Sequence, residues 1–181
     1  RRGRERPLPH TTFVTGGPIS DPDAPFFKAL GAALDHLGAQ GFAFAHDEQP
    51  PRAGYDCVGF VDRAWDVRVE VWEDYEARVQ YVVIAASDTA RLAAVRDAVF
   101  ATVKPPSVEQ LIARARRARS DPTSLMRAVY AVAERPDARV QALVQSALGH
   151  AHPQMRATGA YAATVLARGV EPSGAPRPKG P

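Results

Sequence analysis

A chain of 181 residues with 45% hydrophobic content carries enough apolar material for one ordinary domain or two small ones, which confines expected disorder to its ends. Its apolar stretches are broken by charges well short of the roughly 20 residues of a membrane span, so membrane insertion is excluded from the reading. The net charge of +3 conceals an asymmetry: residues 24–103 hold 7 Lys/Arg against 12 Asp/Glu, and residues 105–181 hold 11 against 5. That split fits two modules that dock on each other, or two faces for different partners. The single cysteine, Cys57, cannot form an internal disulfide and fits a reducing, cytoplasmic setting. Within Cys57-Val58-Gly59-Phe60-Val61 it reads as a small hydrophobe rather than a reactive thiol.

Residues 1–10, rich in arginine and proline, read as a flexible tail. Residues 11–104 read as an α+β module. A short strand over Thr11–Thr15 precedes a turn at Gly16-Gly17-Pro18. A helix capped by Ser20 or Asp21, with Pro22 in its first turn, then presents Phe26, Phe27, Leu30, Ala33, Leu34 and Leu37 on one face until Gly38 and Gly41 end it. Strands are expected over Phe42–Ala45, Tyr55–Val61, Trp65–Trp72 and Arg78–Ala86. In the third, Trp65, Val67, Val69 and Val71 alternate with Asp66, Arg68 and Glu70, which predicts one apolar and one polar face. A hairpin across Asp74-Tyr75-Glu76 joins it to the fourth and sets Arg78 opposite Trp72. A helix over Asp88–Val103 turns Leu92, Val95, Val99 and Val103 inward. The whole predicts an antiparallel β-meander flanked by helices.

Pro105-Pro106 marks the boundary to an all-α module over residues 107–168, because the residue before a proline is driven out of helical geometry. Ser107 caps a helix that buries Val108, Leu111, Ile112 and Ala115. Helices over Thr123–Glu134, Ala138–Gly149 and Pro153 to about Arg168 follow, two of them opening on the phrase Pro-x-x-Arg. Small residues such as Ala142, Ala147, Ala157, Gly159, Ala160 and Ala163 allow close helix approach. Residues 169–181, rich in proline and glycine, read as a second tail.

The phrase from Pro136-Asp137-Ala138-Arg139 through Leu143, its closing Ala147-Leu148-Gly149, and the start His152-Pro153-Gln154-Met155-Arg156-Ala157 resemble HEAT-type helical repeats, the building blocks of α-solenoids. The resemblance covers about residues 107–168. It implies a scaffold or protein-binding role and transfers no catalytic residue.

Candidate chemistry is sparse. Thr15-Gly16-Gly17-Pro18 lies between a strand and a helix, as phosphate-cradling loops do, but it lacks their further glycine and lysine residues, and Asp21 and Asp23 repel an anion. The reading as a plain turn and cap outweighs nucleotide binding. His150-Ala151-His152 and His46-Asp47-Glu48 fall short of the ligand sets zinc requires, so no metal and no cofactor is expected. No nucleophile phrase stands out, which argues against an enzyme.

Two sets of residues are candidate contacts. Arg114, Arg116, Arg117 and Arg119 form the strongest basic run, and helical spacing spreads Arg114, Arg116 and Arg117 over the exposed side opposite Leu111 and Ala115. They suit a solvated face, an acidic protein surface or, less well for want of nearby aromatic stacking platforms, a nucleic-acid backbone. Trp72, Tyr75 and Arg78 crowd the hairpin tip, where a tryptophan on the polar face is either covered or offered to a partner as an anchor. The expected function is therefore non-catalytic binding of another protein with an acidic surface. Nucleic-acid binding through the basic half is the alternative, and a nucleotide-binding enzyme ranks third.

Overall fold

Five antiparallel strands form one sheet in the order β1-β5-β4-β3-β2, with helices on both faces. The computed structural model describes residues 8–15, 24–48 and 53–170. The strands are β1 (His10–Val14), β2 (Ala45–Glu48), β3 (Tyr55–Asp62), β4 (Val67–Asp74) and β5 (Val79–Ala86). The helices are α1 (Pro25–Gly38), α2 (Thr89–Val103), α3 (Val108–Arg117), α4 (Pro122–Ala131), α5 (Ala138–Leu148) and α6 (Pro153–Arg168). This is the expected α+β class, with β2 to β5 as a meander and β1 added on the far side of β5. Among the described residues no helix is long and apolar enough to cross a membrane.

α1 and α2 cover one face of the sheet. Leu30, Ala33 and Leu37 of α1 and Val95 and Val99 of α2 pack on Val67, Val69, Val71, Val82 and Ile84. These strand residues follow the two-residue period of the sequence, so the expected inward set is correct for all but Trp65. Trp65 is 39% exposed and sits before β4, where its indole N–H donates to the Gly41 carbonyl at 3.1 Å and the Arg91 guanidinium lies 4.1 Å from the ring centre. α1 begins at Pro25 after Ala24. The expected caps Ser20 and Asp21, together with the Gly16-Gly17-Pro18 turn, lie outside the described residues.

The opposite face carries α3 to α6. Val14, Trp72, Val79, Tyr81 and Val83 of the sheet share one continuous core with Leu125, Met126, Val129, Tyr130, Val140 and Val165 of the helices. The segments before and after Pro105-Pro106 are thus docked through a common interior. The helices stack as two hairpins, α3–α4 and α5–α6, with α4 on β1 and β5. Ser107 and Gln110 close a reciprocal capping box on α3, while Asp121 and Asp137 cap α4 and α5 through their carboxylates. Gly159 lets α6 meet the end of α5: a Cβ there would stand 2.8 Å from the Leu148 amide nitrogen. Alanine at this position overpacks a backbone contact.

Several boundaries correct the sequence reading. The expected strand Phe42–Ala45 is shifted to Ala45–Glu48, because the Phe42 amide donates to Leu37 and the Ala43 amide to the Asp62 carboxylate at 2.7 Å, which takes both from a ladder. The last hairpin turns over residues 75–78, with Asp74 opposite Val79 and Trp72 opposite Tyr81. Arg78 therefore lies in the turn, at φ 54°, and not across from Trp72. Two residues assigned to the expected tails belong to the folded part. His10 begins β1, and Val170 is buried, its carbonyl 3.0 Å from His10 Nε2.

Candidate functional site

Trp72 is not a surface anchor. It is 3% exposed, its indole N–H donates to Glu70 at 3.0 Å, and its ring meets Tyr55 edge to face. The polar face that the alternation assigns it is real, but α3 to α6 cover that face. The hairpin tip is left with Arg78 and with Tyr75, which is 54% exposed and donates to Asp56 at 3.2 Å. A tip without its aromatic anchor makes a poor primary site.

The same covered face holds a polar cluster that the sequence reading passed over. Asp74, fully buried, accepts from the Tyr130 hydroxyl at 2.5 Å, from the Tyr161 hydroxyl at 2.6 Å and from the Ala77 amide at 2.9 Å. Tyr55 hydrogen-bonds Tyr161, and Tyr130 stacks on Tyr81 with ring centres 4.5 Å apart. Burial first, and then the hydrogen bond to Asp74, push both the Tyr130 and Tyr161 hydroxyls far above the usual phenol value. They remain proton donors at neutral pH and tie α4 and α6 to the end of β4. The cluster works as a polar clamp between sheet and helices. Its only trace in the sequence is three tyrosines and an aspartate spread over 107 positions, with no spacing to connect them.

All four arginines expected on α3 are exposed, and among the described residues none enters an ion pair. Arg114, Arg116 and Arg117 belong to α3, whereas Arg119 lies in the turn that follows it. Arg116 and Arg119 rim a groove of about 270 Å³ between α3 and α5, whose floor includes Ala115, Leu125, Leu143 and Met155. Arg114 lines a different cleft, and Arg117 lines neither.

At one side of the groove Arg139 is held by Glu109 at 2.7 and 2.8 Å and by Asp137 at 2.7 Å. Hydrogen bonds from Arg139 pull the Asp137 carboxyl down to about 2, and its side-chain bond lowers Glu109 as well. Arg139 is therefore neutralised locally, whereas Arg116, which acts on Glu109 only through space, and Arg119 make no close ion pair among the described residues. His150 completes the rim. Its Nδ1 accepts from the His152 amide at 3.0 Å, while Arg156 binds the carbonyls of His150 and Ala151 at 3.0 and 2.7 Å.

Among the described residues, no group of three His, Cys, Asp or Glu side chains is placed to hold a metal ion. Comparison with protein-family models, with curated proteins and with solved structures finds no match.

Proposed function

We propose that this protein is a non-catalytic binding protein whose HEAT-like helical hairpins hold an acidic segment of another protein in the groove between α3 and α5. The observation that carries the reading is the combination of an apolar floor with Arg116 and Arg119, neither of them in a close ion pair among the described residues, on the open side of the helical layer. The sheet already engages α4, so the partner surface of the hairpins is the outer one, formed by α3 and α5. Aliphatic side chains on the floor supply affinity, and the cations supply orientation and select against basic partners.

The test is affinity capture from the protein's own cells with nuclease-treated lysate, comparing wild type with Arg116→Glu/Arg119→Glu and with Leu143→Asp. A bound protein that is acidic in its contact segment, and that both variants lose by at least about tenfold, supports the groove. Retention by both variants overturns it. A second reading rests on the same unpaired arginines: if wild type binds duplex DNA with a steep inverse dependence on salt, phosphate contacts replace the acidic peptide.

A further inference from the structure

On the other side of α3 lies a cleft of about 450 Å³, bounded by Lys104, Pro105 and Pro106 before the helix, by Gln110 and Arg114 along it, and by Arg127 of α4. Thr15, at the end of β1, closes it from the sheet. Three cations from three separate elements converge here, and among the described residues no carboxylate lines the space. None of the three is in an ion pair among those residues. The Nε of Arg127 is buried and has no hydrogen-bond partner. A buried guanidinium N–H without an acceptor is costly, and three cations gathered without a counter-charge repel one another. An anion in the cleft relieves that repulsion.

We infer that this cleft is a binding site for a phosphate-type oxyanion, either the free ion or the phosphate group of a small phosphomonoester. Arg127 and Arg114 offer guanidinium forks to the phosphate oxygens, Lys104 supplies a point charge at the mouth, and the Gln110 amide supplies a neutral donor. Gln110 and Arg114 are four residues apart on α3 and so share a helix face, which is why a single helix contributes both. The rigid Pro105-Pro106 pair fixes the approach of Lys104, whose own backbone is left-handed at φ 50°. The site is independent of the α3–α5 groove and stands or falls separately from it.

The test is titration of the full-length protein with inorganic phosphate, followed by amide and arginine side-chain NMR shifts, with phenyl phosphate as a second ligand. Saturable shifts at Lys104, Gln110 and the Arg127 side chain are expected. Arg127→Met should weaken binding by about tenfold or more. Lys104→Gly removes a charge at a backbone geometry that glycine adopts without strain, so weaker binding by this variant reports the lost cation and not misfolding. Arg117→Met removes an arginine of the same helix that lines neither of the two clefts and should leave affinity unchanged. Tighter binding of phenyl phosphate assigns the site to a phosphomonoester, and equal binding assigns it to the free ion. The absence of saturable shifts, or equal weakening by Arg117→Met, overturns the proposal.

Discussion

The two faces of the sheet are built on different principles. Under α1 and α2 the strands contribute mainly valines with Phe13 and Ile84, and the buried Asp62 on that side serves backbone amides of neighbouring loop residues rather than side chains of the helices. Under α3 to α6 the same strands contribute Trp72, Tyr81, Glu70 and Asp74, all buried, and the interface combines packing with hydrogen bonds. An apolar interface tolerates small sliding adjustments, because dispersion and burial are non-directional. A buried aspartate with three donors tolerates far less, since any displacement strands a polar group. The first face therefore secures the sheet, and the second fixes where the helical hairpins sit on it. The groove and the anionic cleft both depend on that placement.

The largest test of this contrast is Trp72→Ala. Truncation of a buried aromatic costs about 3–5 kcal/mol, so the denaturant midpoint should fall sharply. Ile84→Val, on the opposite face, should cost about 0.5–1.5 kcal/mol. A midpoint for Trp72→Ala close to wild type would show that this face is open in solution.

Next in size is Asp74→Ala, which leaves the hydroxyls of Tyr130 and Tyr161 without their shared acceptor. A loss of about 1–3 kcal/mol is expected by chemical denaturation. Hydrogen exchange should quicken in α4 and α6 while α1 and α2 stay protected. Equal loosening of all helices would mean that Asp74 supports the whole fold and not the hairpin docking.

The smallest effect is a pH dependence confined to the polar face. Folding raises the hydroxyl pKa of Tyr130 and Tyr161 above that of an unfolded tyrosine, about 10. Their contribution is complete below pH 10 and is lost as the pH climbs beyond it, because the unfolded chain then releases protons that the folded chain retains. Urea midpoints measured from about pH 9 to 11 should therefore decline, and Tyr130→Phe should decline less steeply. A parallel decline in both proteins would assign the alkaline sensitivity elsewhere.

Much of the local structure was legible in the sequence because its causes are local. Ser107 with Gln110, Asp121 before Pro122, and Asp137 after Pro136 cap helices whose ends lie within a residue or two of the reading, except that α4 stops at Ala131. Val67, Val69 and Val71 announce a strand with one apolar face by their period alone. The exposed arginines of α3 were legible too, since helical spacing sets them opposite Leu111 and Ala115.

Tertiary structure decided what covers what. Periodicity marks Arg68, Glu70 and Trp72 as one face of β4, but no local signal says that four helices more than 35 residues away will close over it. Burial of Trp72, the gathering of Tyr55, Tyr130 and Tyr161 on Asp74, and the convergence of Lys104, Arg114 and Arg127 on one cleft all arise between residues distant in the chain. Such contacts depend on loop closure and shape complementarity between whole elements, whereas sequence period reports only which side of its own element a residue occupies.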